Sequence, residues 1–249
     1  ARTTERAAPG VDTLSAPGAA PFGLAVAPFP PTFYDRDPRL VARELLGATL
    51  ECRPPDGTAA GRIVETEAYL GPHDPACHAV AGRTRRTWHL HGPPGLAYVY
   101  RIYGMHWCFN AVTLPEGTGS AVLVRAVVPL GDLALARARR PGARRDVDLT
   151  NGPGKLCAAL GIDGRLDGAP LDGAPLDGAP GDGIVAAGHA LALRPGSTVP
   201  DEAVAVTPRI GITRAADWPL RYVVRDDPFV SRTPATFYRR PYAPGVDAV

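Results

Sequence analysis

The first clear periodicity along the chain is helical. Asp37 precedes Pro38, an N-cap and first-turn pair, and Leu40, Val41, Glu44 and Leu45 then follow helical spacing until Gly47. Beyond Gly47 the pattern changes to that of strands. Residues 49–53 and 62–70 read as strands, with a Pro54-Pro55-Asp56-Gly57 turn between them. Residues 71–95 lose the pattern. They are polar and carry Pro, Gly, His and Arg throughout, which predicts a long irregular loop of the kind that carries function. Residues 98–112 are aromatic and β-rich, broken at Gly104. An apolar strand follows at 120–128, then helices at 131–140 and 154–160, the second ended by Gly161. Residues 191–193, 203–207 and 221–224 read as short strands.

Composition changes this picture at the ends and in one loop. The 249 residues include 28 glycines and 28 prolines, yet 45% are hydrophobic, an ordinary share for a globular protein. The two facts agree if Gly and Pro are concentrated outside the core. Residues 1–28 are rich in Ala, Pro, Thr and Gly and cannot repay the entropy of ordering, so a disordered tail is expected there. The folded domain is expected over 29–237, with a Pro-rich tail at 238–249. Leu-Asp-Gly-Ala-Pro occurs three times in succession, at 166–170, 171–175 and 176–180. A unit this small cannot bury a core, so 166–183 is expected to be a tandem expansion in a surface loop. No apolar run approaches the ~18 residues of a membrane span, and no three-residue glycine period suggests collagen.

Charge and cysteine usage exclude little more. The formal net charge is +2, and Lys155 is the single lysine among 27 basic residues. Cys52, Cys77, Cys108 and Cys157 show no paired CxxC spacing, which argues against a zinc ribbon or a redox pair. With no secretory apolar segment near the N-terminus, reduced thiols in the cytosol are the expectation.

Three segments carry candidate chemistry. In 61–71, strand alternation puts Ile63, Glu65, Glu67 and Tyr69 on one face. Two carboxylates about 7 Å apart on one face are costly unless paired or functional. A solvent-facing edge with a salt-bridged Glu is the plain alternative. In 98–110, Tyr, His, Trp and Phe crowd together, and bases stack on such faces. Gly104 would let the chain turn sharply and thrust Tyr103 outward. Arg101, with Arg83, Arg85 and Arg86 nearby, tilts Tyr100 and Tyr103 toward nucleic acid, whereas Trp107 and Phe109 read as core. Cys77, His78 and Glu67 are metal-ligand types, but no HxxxH, HExxH or CxxC spacing supports a metal.

Together these segments resemble the alkyladenine (3-methyladenine) DNA glycosylase family of base-excision repair. The resemblance runs through Ala42-Arg43-Glu44-Leu45-Leu46-Gly47, residues 62–72, Tyr98-Val99-Tyr100-Arg101-Ile102-Tyr103-Gly104-Met105, Val122-Leu123-Val124-Arg125-Ala126 and Gly152-Pro153-Gly154-Lys155-Leu156-Cys157. Fainter echoes follow at Gly211-Ile212 and Pro219-Leu220-Arg221-Tyr222. It covers roughly residues 30–232. It implies an α+β fold: a single mixed domain with an antiparallel-rich, curved β-sheet and surrounding helices. No metal and no organic cofactor are implied. Double-stranded DNA containing damaged purines is the implied partner, met by a monomer in the cytoplasm, at the nucleoid.

The resemblance also assigns roles. Glu67 falls on the general base that activates water, and Arg125 on a polar residue beside that water. Tyr69 and His78 fall on residues enclosing a flipped base, Tyr100 on the opposite wall, and Asn110 on a position that crowds the 2-amino group of guanine. Tyr103 falls on the residue wedged into the minor groove. Arg83, Arg85, Arg86 and Lys155 are candidate DNA-backbone contacts. The segment Arg86-Thr87-Trp88-His89-Leu90-His91 departs from the family pattern, lacking its Arg-Asn start and Met-Phe pair. Two other readings stand beside this one. One is a catalytically silent damaged-DNA binder; the other is a carbohydrate hydrolase using Glu65 and Glu67 as an acid/base pair.

Overall fold

Asp37 caps the first regular helix as its sequence predicts: its carboxylate accepts from the Arg39 amide at 2.8 Å, with Pro38 in the first turn. This computed structural model describes residues 26–176, 188–234 and 240–243. Most of the expected tails and the rest of the third repeat after Leu176 lie outside the described residues. In chain order the elements are α1 (Pro31–Tyr34), α2 (Pro38–Glu44), β1 (Thr49–Arg53), β2 (Ala59–Tyr69), β3 (Ala97–Ile102), β4 (His106–Thr113) and β5 (Ser120–Leu130). They continue as α3 (Ala134–Arg139), α4 (Val147–Thr150), α5 (Pro153–Leu160), β6 (Ala190–Arg194), β7 (Val204–Thr207), β8 (Arg221–Val224) and β9 (Arg240–Pro241).

The strands form one antiparallel sheet in the order β3-β4-β5-β2-β8-β7-β9, with β1 also on β2 and β6 on β1. The fold class is therefore α+β. The core lies between the sheet and the helices: Val41 and Ala42 of α2 and Leu156 of α5 pack with Ile63, Phe109 and Val124. Thr66 on β2 ties this layer down by donating to the Ala42 carbonyl at 2.8 Å. Among the described residues, no helix is long and apolar enough to cross a membrane.

Strand β2 does not alternate throughout. Its register on β5 slips between Ile63 and Thr66, where Glu65 faces Ala126 and Thr66 faces Val124. Such bulges re-aim side chains. Ile63 consequently packs into the main core with Ala68, instead of sharing the face of Glu65 and Glu67 as strict alternation predicts. Nor is this a solvent-facing edge, since both glutamates are completely buried.

The segment between β3 and β4 turns as expected. Tyr103 and Gly104 have φ of +49° and +70°, and Met105 donates its amide to Ile102 at 3.1 Å, a type I′ turn. Tyr103 is 86% exposed at its tip. The start of α5 presses against this hairpin so closely that a Cβ at Gly154 would lie 2.9 Å from the Cβ of His106.

Three expectations need correction. The irregular 71–95 segment contains two 3-10 turns, His78–Ala81 and His89–His91. The described part of the repeat is not a surface loop, because Leu166, Ala169 and Leu171 are buried in the core. Asp167 accepts from the Val99 amide at 2.8 Å, and Asp172 bridges Ala192, so sheet-edge hydrogen bonds supply the anchoring that a small unit lacks. Within the expected C-terminal tail, β9 pairs with β7, and Tyr242 stacks edge-on to Tyr222.

Candidate active site

β2, β3, β4 and β5, with the β3–β4 turn and the 71–95 loop, bring the sequence-nominated pocket residues around one cavity of about 320 Å³, lined by Tyr69, His78, Tyr100, Tyr103, Asn110 and Arg125 among others. Glu67 lies beneath that lining. Its Oε1 accepts from the Ile210 amide at 2.8 Å and faces Arg125 Nη1 at 3.3 Å, while Oε2 accepts from the Tyr69 hydroxyl at 3.0 Å. Burial, followed by the Glu67 charge, raises the Tyr69 phenol well above its ordinary value, so this hydroxyl stays a donor.

Glu65 sits two residues away and is tied up. It accepts from Arg125 Nε at 2.8 Å, Arg221 Nε at 2.7 Å, and the Ser231 amide and hydroxyl, each at 2.7 Å. Burial pushes its carboxyl up, but Arg125, Arg221 and Ser231 together bring it down to about 2. Burial works against the charge on Arg125, yet Glu67 and Glu65 outweigh it and hold the guanidinium protonated. One carboxylate therefore has every strong donor it can use. The other lies beneath the cavity lining, held by Arg125, the Ile210 amide and the Tyr69 hydroxyl of the wall. This is not an acid/base pair flanking a bond, so the carbohydrate-hydrolase arrangement is absent.

The walls are aromatic. His78 Nδ1 lies 2.9 Å from the Tyr98 hydroxyl, and its ring meets Tyr100 edge-on with centroids 4.5 Å apart. Burial and the Arg86 charge lower the His78 imidazole below its ordinary value, leaving it neutral at pH 7. Asn110 is pinned by donating to the Tyr98 carbonyl at 3.0 Å. Cys77 and Cys108 also line the wall; burial raises both thiols, Cys108 to about 11, so they are protonated and unreactive.

The nominated backbone contacts are more scattered. Arg86 lies over the Tyr100 ring at 5.6 Å and Arg83 over Trp88 at 3.8 Å. Arg85 is exposed on the same loop. Lys155 stands on α5, donating to Asn151 at 2.6 Å, two residues past the cavity-lining Pro153.

Sequence reasoning missed a supporting ion pair. Arg209 and Asp74 are both fully buried and make two contacts, at 2.5 and 2.8 Å. Arg209 also donates to the Ala68 carbonyl and lies 4.6 Å from the Tyr69 ring centre. Asp74 accepts from the Leu70 and Ala76 amides, shaping the loop toward His78. The pair thus links the Tyr69 wall, the His78 loop and the segment whose Ile210 amide holds Glu67. A lone Arg in an apolar stretch is the signal that could have found Arg221; Arg209, between Pro208 and Ile210, offers a weaker version of it.

A model of the methylpurine-DNA glycosylase family matches residues 32–228. Over 215 residues the chain is 46% identical to a Myxococcus xanthus protein described as "Putative 3-methyladenine DNA glycosylase", covering 85% of this chain and 97% of that one. Proteins of the same description from Methanoculleus marisnigri and Salinibacter ruber are each 46% identical, over 82% of this chain and 98% and 96% of theirs.

Proposed function

The chain belongs to the methylpurine-DNA glycosylase family, and from that premise we propose that it excises alkylated and deaminated purines from duplex DNA with a water activated by Glu67. The activity is that of a monofunctional DNA glycosylase, a hydrolase of N-glycosyl bonds. The substrate class is 3-methyladenine, 7-methylguanine, hypoxanthine and ethenoadenine. The observation that carries the reading is a buried carboxylate under an aromatic cavity, with a guanidinium 3.3 Å away.

A base inside a duplex is out of reach until it is flipped out, at a cost of a few kcal/mol. Tyr103, already exposed on its strained turn, fills the gap in the stack. The flipped base is enclosed by Tyr69 and His78 with Tyr100 on the opposite wall, and Asn110 screens its edge. In the free protein, Tyr69 occupies one Glu67 oxygen. A base pressing on the Tyr69 ring frees that oxygen for water. Glu67 then takes the water's proton as the hydroxyl oxygen bonds to C1′ and the C1′–N bond breaks, its electrons leaving with the base. N3- or N7-alkylated purines leave readily because they carry positive charge; neutral bases need a proton as they depart. Arg125, 3.3 Å from Glu67 Oε1, holds the carboxylate in place. Lys155, the single lysine, stands outside the cavity lining, so among the described residues no amine is poised for a Schiff base, and the expected product is an abasic site. We place its action in a monomer in the cytoplasm around the nucleoid, where its four buried cysteines would stay reduced.

Duplex oligonucleotides carrying hypoxanthine, ethenoadenine or 3-methyladenine, cleaved at abasic sites with alkali, test the reading. Scission is expected with at least one lesion, and none with any lesion would sink it. Glu67→Gln should still bind lesion DNA while single-turnover release falls about 10²-fold or more; retained turnover would remove Glu67 from its role.

A further inference from the structure

Six large hydrophobic side chains are exposed among the described residues: Val26, Leu40, Val80, Trp88, Tyr103 and Met105. Four of them sit on two elements that border the cavity. Tyr103 and Met105 belong to the β3–β4 hairpin, whereas Val80 and Trp88 belong to the 78–91 loop, which lends His78 and Leu90 to the cavity wall. Tyr103 on the hairpin has an assigned task, whereas the exposed Val80 and Trp88 of the loop have none. Trp88 is 54% exposed, with the Arg83 guanidinium 3.8 Å from its ring centre. Glu116 meets Arg83 only at 3.9 Å, both side chains being open to solvent, so that pair holds Arg83 weakly. Arg85 and Arg86 add positive charge to the same loop, and Arg86 reaches over the Tyr100 wall.

We propose that Trp88, braced by Arg83, is a second DNA contact. Its open face packs on a base or sugar of the duplex beside the flipped nucleotide, while Arg83 meets a phosphate. Aromatic faces take any base, and a guanidinium stacked on the ring adds the charge that the backbone attracts. A Trp that only covered the loop would be buried, and this one is more than half exposed, with Arg83 over its ring. The inference rests on DNA being the substrate, and it gives the departing 86–91 segment a task.

The test uses the full chain with intact and hypoxanthine-containing duplexes, reading binding by anisotropy across a salt series and cleavage at saturating enzyme. Trp88→Ala should weaken binding to both duplexes about tenfold, equivalent to ~1.4 kcal/mol and within the range of one stacked base. Trp88→Phe should restore most of that affinity, and the saturated cleavage rate should match wild type in both. Arg83→Ala should reduce the salt slope by about 0.9. DNA should also quench a component of the tryptophan emission that Trp88→Phe lacks, a readout independent of how well Trp88→Ala folds. Wild-type affinity in Trp88→Ala, or the absence of a quenched component, would overturn the proposal. If wild type binds DNA and Trp88→Ala loses affinity but neither cleaves any lesion, the excision reading fails and the Trp88 contact stands. Normal cleavage with unchanged affinity would remove the Trp88 contact and leave excision intact.

Discussion

The floor of the cavity and its mouth handle charge in opposite ways. On the floor, Glu65, Glu67, Arg125 and Arg221 are buried, and each finds its partners within the protein. At the mouth, Arg83, Arg85 and Arg86 are open to water beside an exposed Trp88 and Tyr103. Buried charges are tolerable only when fully paired, so the floor is rigid and intolerant of change. Exposed charges contribute little to folding, so the mouth is free to be shaped for an external polyanion. Substitutions on the floor should therefore damage stability or chemistry, and those at the mouth should affect association alone.

The sharpest way to break this contrast is Glu65→Gln. It leaves Arg221 buried without its counter-charge, and unfolding in urea should show a loss of about 3–5 kcal/mol. A loss of only a few tenths would mean that the floor is no more constrained than the surface. Acid titration of the same residue comes next. The Glu65 carboxyl is depressed to about 2 from an ordinary 4.5, so its contribution is complete above that ordinary value and disappears as pH falls through the folded one. Wild-type stability should drop across that window, and Glu65→Gln should lose much of the drop; identical acid profiles would contradict the pairing. At the mouth, Tyr103→Ala should leave urea stability within about 0.5 kcal/mol yet weaken lesion-duplex binding by ~1–3 kcal/mol. Equal losses in both would erase the distinction.

The smallest effect belongs to a contact between the two regimes. The Asp167 hydrogen bond raises the half-exposed His89 imidazole above its ordinary value, against the pull of burial. Its support is therefore complete below pH ~6.5 and fades as pH rises through the folded value. Wild type should exceed His89→Gln in stability at mildly acidic pH by a few tenths of a kcal/mol or so, and the gap should close in mild base. A gap that widened with pH would reverse the assignment.

What the sequence reveals follows the range of the forces involved. Local signals read well: Asp37-Pro38 starts a helix, Gly161 ends another in the left-handed region, and Tyr103-Gly104 turns a hairpin. The nominated cavity residues converge because they lie on the consecutive strands β3, β4, β5 and β2 or on the loops beside them. The bulge in β2 was hidden, since a slipped register leaves no mark in residue types that suit a regular strand as well, such as Ile63-Val64-Glu65-Thr66. Long-range polar pairs were hidden too. Asp74 meets Arg209 and Glu65 meets Ser231 from positions far apart in the chain, and neither residue type announces burial. Without those partners, only the family resemblance separated Glu67 from Glu65.

The docked repeat has a genetic consequence. Residues 166–170 and 171–175 are identical in sequence, and 176–180 repeats them again. Removing one unit, as slippage at a tandem coding repeat does, leaves every residue from Leu166 to Pro175 unchanged in identity and puts Gly181 in the place of Leu176. The anchored Leu166, Asp167 and Leu171 are reproduced whichever copy is lost. A chain lacking one unit would keep the residues anchored against β3 and β6 but lose the core packing of the Leu176 side chain.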